Sequence, residues 1–294
     1  MRAPIVERHN VSLFESSWRH IKAAEARGQD AAEVWNAFLD EDPYEAVLSI
    51  NEEGVAKLFV ETVGRPPADL SILIGEFFYH LRAALDNAVY DTATHHTRRD
   101  PPPSASALEF PIAETEAQFR AAAYKIKPLG HQHRATIEAV QPFRHTGGPK
   151  ASPFYWINDL ARKDRHRALH FVGAYIAHTN PQISVPPGVT AKPLATPTEQ
   201  SIPLLYDYAE VARWKLTPYT DAISREVEAN PDIAIDPEIG EMAEDRPVGV
   251  EWLWETFSMR LWFMRIAVDA TVGKLEQDCF GHTRSKYVKK PDRR

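Results

Sequence analysis

The chain has 294 residues, 44% hydrophobic and 26% charged, with 34 lysines and arginines against 41 acids and a formal net charge of −7. That is an ordinary globular balance, long enough for one large or two smaller cores, and its sign argues against a general nucleic-acid coat. A single cysteine, Cys279, excludes an internal disulfide framework and a cysteine-based zinc cluster. No run approaches the roughly 18 apolar residues of a membrane-spanning helix. The opening "MRAPIVERHNVSLFESSWRH" has no apolar core behind its charges. A secretory leader is therefore not expected, and a cytoplasmic location is.

Residues 11–40 predict a helix broken near Gly28, with Asp30 capping "DAAEVWNAFL". In "YEAVLSINEEGVAKLFVETV" two β-prone runs flank "NEEG", which predicts a hairpin. "PPADLSILIGEFFYHLRAALDNAVYDTATHH" predicts the longest helix, because Leu70, Ile74, Phe77, Leu81, Leu85 and Ala88 recur at three- and four-residue steps. A Pro/Ser loop follows. "LEFPIAETEAQFRAAAYKI" then reads as an extended piece and a helix capped by Thr115, and residues 131–141 as another short helix.

"SPFYWINDLARKDRHRALHFVG" predicts a helix with Ser152 at its N-cap and Pro153 at its first position. Its apolar stripe runs through Ile157, Leu160, Ala161, Ala168 and Val172, and Gly173 closes it. From 174 to about 247, dense prolines and β-branched runs predict several strands. From Val248 to Cys279 a stripe through Leu253, Phe257, Leu261, Met264, Val268, Val272 and Leu275 predicts a closing helix packed on those at 68–93 and 152–173. Its tryptophans, Trp252, Trp254 and Trp262, enlarge the buried face or mark an interface.

The expected class is α+β: mainly an α-helical bundle, with an N-terminal β-hairpin and a β-rich insert before a long C-terminal helix. The boundaries are N-terminal helices and hairpin at 1–67, bundle core at 68–173, β-rich insert at 174–247, completing helix at 248–280 and a basic tail at 281–294. Charge is uneven along this order. Arg120 to His170 holds ten bases, three acids and five of the 12 histidines, whereas 207–245 holds eleven acids and three bases. Such asymmetry steers an anionic ligand to one part of a surface.

Phosphate-cradling glycine loops, a serine nucleophile elbow and HExxH are all missing from the sequence. The histidines are scattered; His80, His166 and His170 could meet around a metal on facing helices, but surface or core roles are the default. No metal or cofactor is expected. The stretch "ARKDRHRALH", 161–170, carries the most chemistry. Helical spacing puts Asp159, Arg162, His166 and His170 on one stripe and Arg165 beside it. Asp164 falls on the apolar line, where a carboxylate needs a partner. Arg82 is a candidate for it, and Arg82 with Asp86 at i,i+4 is the competing pair.

The run "RHRALH", an arginine, an adjacent histidine and a second histidine four residues on, resembles the motif of the HEPN superfamily of helical bundles. "HLRAALDNAVY" resembles the first-helix pattern of some members. Many members are metal-independent ribonucleases that dimerise to pair two motifs, and others only bind nucleotides or partners. The resemblance implies Arg165 as phosphate clamp, His166 as polar neighbour and His170 as acid/base; the neighbouring bases Arg162, Lys163 and Arg167 are candidate phosphate contacts. The same two patterns also resemble a class of bacterial and phage-borne proteins without an established activity. The competing expectation is therefore a non-catalytic interaction protein.

Overall fold

The structure, a computed structural model, describes residues 12–166, 172–195, 205 and 207–287, and gives backbone alone for residues 163–166, 172, 241 and 244. Its contacts divide the chain into two units. One comprises Met1–Asp30, Ile72–His170 and Asp245–Arg294, and the other Ala31–Ser71 and Phe171–Glu244. The α+β class expected from the sequence is the observed one.

In the second unit, β1 (Tyr44–Ile50) and β2 (Val55–Thr62) form the predicted hairpin. Asn51 Oδ1 accepts from the amides of Glu53 and Val55, at 3.1 and 2.8 Å, and so folds the turn. Gly54 closes it at φ +73, where a Cβ would also meet Tyr219 at 2.6 Å. The hairpin shares its unit with the second half of the N-terminal helix, Ala31–Leu39, where the Phe38 ring lies 6.1 Å from that of Tyr44. β2 pairs antiparallel with β6 (Tyr208–Thr217), which pairs with β5 (Thr190–Pro193), giving one sheet in the order β1-β2-β6-β5.

The register slips opposite Leu58 and Phe59, so that Val211 has no partner across β2. The buried positions of β6 accordingly change phase, from Ala209 and Val211 to Ala212, Trp214 and Leu216. β3 (Val172–Thr179) pairs with β8 (Ile233–Ile239), and β4 (Gln182–Ser184) with β7 (Glu228–Asn230).

The first unit is helical. α1 (Glu15–Leu39), which continues into the other unit, is unbroken at Gly28. A single glycine costs a helix only about 1 kcal/mol, and a Cβ at position 28 would meet Phe77 and Leu261 at ordinary van der Waals distance. Asp30 caps nothing; it lies inside the helix and pairs with Arg27 at 2.7 Å. α2 (Ala68–Thr97) buries all six residues of its predicted stripe. α3 (Glu116–Ala121) starts at Thr115, whose hydroxyl and the Gln118 side chain form a reciprocal capping box. α4 (His131–Ala139) follows.

α5 (Pro153–His166) starts as predicted, with Ser152 Oγ accepting from the Phe154 amide at 3.3 Å. Ile157, Leu160 and Ala161 are buried along it. It does not reach Gly173, because Val172 and Gly173 already belong to β3 and pair with Ile239 and Glu238. The alternation "VGAYIA" serves a strand better than a helix.

Two short helices, α6 (Asp221–Ser224) and α7 (Gly240–Asp245), precede α8 (Phe257–Phe280). α8 begins at Phe257 rather than Val248, since Thr256 caps it by accepting from the Met259 amide. Its whole predicted stripe is buried, and it packs on α4 and α5. At its far end the Phe280 ring lies 4.7 Å from that of His95 on α2. The tail is tied down as far as it is described. Arg284 bonds to Glu276 and Glu15, and Ser285 Oγ donates to Asp269 at 2.5 Å.

Candidate functional site

The extended piece "LEFPIA", residues 108–113, runs through the helical unit without a sheet partner. Its backbone groups are met by side chains instead, since buried amides and carbonyls need partners. Gln141, 2% exposed, accepts from the Ala113 amide at 2.9 Å and donates to the Pro111 and Ile137 carbonyls at 2.7 and 3.0 Å. Phe110 is held at both ends by one turn of α2. Arg82 Nη2 donates to its carbonyl at 2.7 Å, and Asp86 Oδ1 accepts from its amide at 2.8 Å.

Arg82 is the centre of this arrangement and only 4% exposed. Its Nη2 also reaches Glu109 Oε1 at 2.6 Å and Asp86 Oδ1 at 3.2 Å, while Nη1 reaches Asn158 Oδ1 on α5 at 3.5 Å. Lys125 Nζ binds the other Glu109 oxygen at 2.5 Å. The Phe110 ring stacks on Phe154 of α5 at 6.0 Å and 18°. Of the two candidate partners for Arg82, Asp86 is in contact; the side chain of Asp164 lies outside the described residues. The network thus ties the first turns of α5 to α2.

Beyond that anchor, α5 presents a polar face to a cleft of about 290 Å³ lined by Glu114, Gln118, Tyr155, Asn158, Asp159 and Arg162, among others. Arg162 and Asp159 share the face expected from their spacing, with Nη2 and Oδ1 3.3 Å apart. The arginine side chain is 66% exposed and the aspartate 14%. Burial, and then the charge of Asp159, push the Tyr155 phenol above its ordinary pKa, so it is a neutral hydroxyl near pH 7. Trp156 does not line the cleft. It is fully buried, its indole nitrogen donating to the Lys150 carbonyl at 2.8 Å.

The remaining predicted site residues follow directly. Lys163, Arg165 and His166 lie in the last turn of α5, where backbone alone is described, and Arg167 and His170 lie outside the described residues. Arg82 thus reaches Asn158, which lines the same cleft as Arg162, and the Arg165–His170 pairing lies outside the described side chains. Asn158, Glu109, Lys125 and Gln141 were not anticipated. The only sequence signal for Asn158 is its place one turn before Arg162 on a polar face.

Among the described residues, no group of three or more His, Cys, Asp or Glu side chains converges as a metal cage. His80 faces His20 of α1, the two Nδ1 atoms 2.9 Å apart. Cys279 sits 3.6 Å from His133 Nε2, and burial pushes its thiol up to about 12, which removes it as a thiolate nucleophile. Among the described residues no helix is long and apolar enough to cross a membrane. No protein-family model, curated protein or solved structure matches the chain.

Proposed function

We propose that the helical unit is a HEPN-like RNA-binding module, and that the end of α5 makes it a metal-independent endoribonuclease acting in the cytoplasm, with two copies pairing their motifs. One observation carries this reading. The α5 cleft combines an aromatic ring, two amides, two carboxylates and a rim arginine directly before "KDRHRALH". Tyr155 offers a stacking face for a base. Glu114 and Asp159 suit the amino groups of base edges and repel phosphate, so the phosphate belongs at the rim, on Arg162 and the basic residues after it.

The cleavage step falls to Arg165 and His170. His170 takes the proton of an RNA 2′-hydroxyl as that oxygen attacks the adjacent phosphorus. A cyclic phosphate forms as the P–O5′ bond breaks, the 5′-oxygen takes a proton from solvent, and Arg165 stabilises the charge on the phosphate oxygens. Arg162→Ala, titrated against single-stranded RNA by fluorescence anisotropy, should weaken binding several-fold and reduce the log K–log salt slope by about 0.7. An unchanged slope removes Arg162 from the phosphate path.

A non-catalytic interaction protein is the second reading. It is favoured by the apolar surface around the start of α8, where Trp254, Met259 and Trp262 are 45%, 38% and 39% exposed. On that reading, Trp262→Ala lowers partner capture and leaves RNA untouched.

A further inference from the structure

The "HLRAALDN" stretch of α2 serves the anchor through Arg82 and Asp86. The same stretch, with α1, also walls a second cleft of about 410 Å³ lined by Ser16, His20, Tyr79, Arg82, Asp86 and Asn87, among others. At its edge His20 Nδ1 and His80 Nδ1 stand 2.9 Å apart, with the rings tilted by 40°. We propose that His20 and His80 form an open two-nitrogen site for a divalent transition metal of the copper, nickel or zinc class.

The distance carries the argument. Imidazole nitrogens bind such metals at about 2.0–2.1 Å, so two of them in cis positions stand about 2.9 Å apart at a right angle and about 3.4 Å apart at a tetrahedral angle. The pair already has this separation, and His20 and His80 both lie on helix segments of the helical unit, so the two nitrogens need no approach to share a metal. On binding, the ring that donates shifts its proton from Nδ1 to Nε2, which frees both Nδ1 lone pairs, and a ring rotation turns them from each other onto the metal. Burial keeps both rings below their ordinary pKa, which leaves them neutral and able to ligate near pH 7.

Glu76, one turn before His80, adds a negative charge, and the nearby Arg27 is itself bound by Asp30 and Glu76. With two protein ligands, the remaining positions fall to water or to a ligand in the cleft, where Asn87 and Tyr79 supply polar contacts. The site is separate from the α5 cleft, so chelation strips it without touching the RNA chemistry proposed above.

A plain imidazole hydrogen bond has the same length, and the response to metal separates the two. The experiment titrates the full chain with Cu2+ and follows it by calorimetry and by EPR. One tight equivalent is expected, with hyperfine structure from two nitrogens. His20→Gln and His80→Gln should each weaken that equivalent at least tenfold, while His178→Gln, on an exposed strand position, leaves it intact. Selective loss of the His20 and His80 ring signals in histidine NMR of the wild type gives the same answer if a variant fails to fold. A wild type without a tight equivalent, a His80→Gln variant that binds as the wild type does, or ring signals that survive one equivalent overturns the proposal.

Discussion

Arg82 and Arg162 carry the same side chain, one in contact with Asn158 and the other lining the same cleft as Asn158, yet their surroundings differ. Arg82 is 4% exposed and holds two carboxylates, a carbonyl and an amide oxygen. Arg162 is 66% exposed and holds one aspartate at 3.3 Å. The first is a buried charge whose surroundings define its only geometry. The second loses little by leaving its partner, because exposed ion pairs contribute about 0–1 kcal/mol. A guanidinium can meet a ligand only where its protein contacts are weak, so burial and partner count separate a tether from a contact residue.

Removing the tether should do the most damage. Arg82→Ala leaves the buried Phe110 carbonyl without its donor and takes from Asp86 and Glu109 the cation they share, and is expected to cost about 3–5 kcal/mol in urea unfolding. A loss below about 1 kcal/mol would break the contrast with Arg162. Gln141→Ala strands three buried backbone groups along 111–137 and should cost about 2–3 kcal/mol in the same assay.

The His20–His80 pair should appear as a pH effect. Both rings titrate below the ordinary histidine value when folded, first through burial. Their neutral forms favour the fold, so stability is complete above about pH 6.5 and falls as pH drops below it toward the folded values. The wild-type unfolding curve should weaken across that window, and the double variant His20→Gln/His80→Gln should flatten it. Arg162→Ala should shift stability by less than about 0.5 kcal/mol, whatever it does to RNA.

Much of the helical framework was legible because periodicity and capping act locally. The stripes of α2 and α8 and the caps at Thr115 and Ser152 were read from spacing and residue type alone. The errors arose where distant contacts decide. Gly28 and Asp30 look like a helix break until Phe77, Leu261 and Arg27 supply packing and pairing. No local signal announces that the hairpin's partner strand β6 lies some 150 residues later.

The site was legible in chemistry and less so in geometry. The Asp159–Arg162 face follows from a three-residue step. Nothing local announces that Arg82 meets Glu109, or that His80 meets His20 across 60 residues. Those pairings belong to the packing of α1, α2 and the extended piece, and composition carries no trace of it.

The most direct test of the proposed function is incubation of the purified protein with mixed single-stranded RNAs in excess EDTA, comparing wild type with His170→Ala and Arg165→Ala. The account predicts cleavage that survives chelation, leaves 2′,3′-cyclic phosphate ends and disappears in both variants. Absence of cleavage by the wild type, or equal cleavage by His170→Ala, would contradict it.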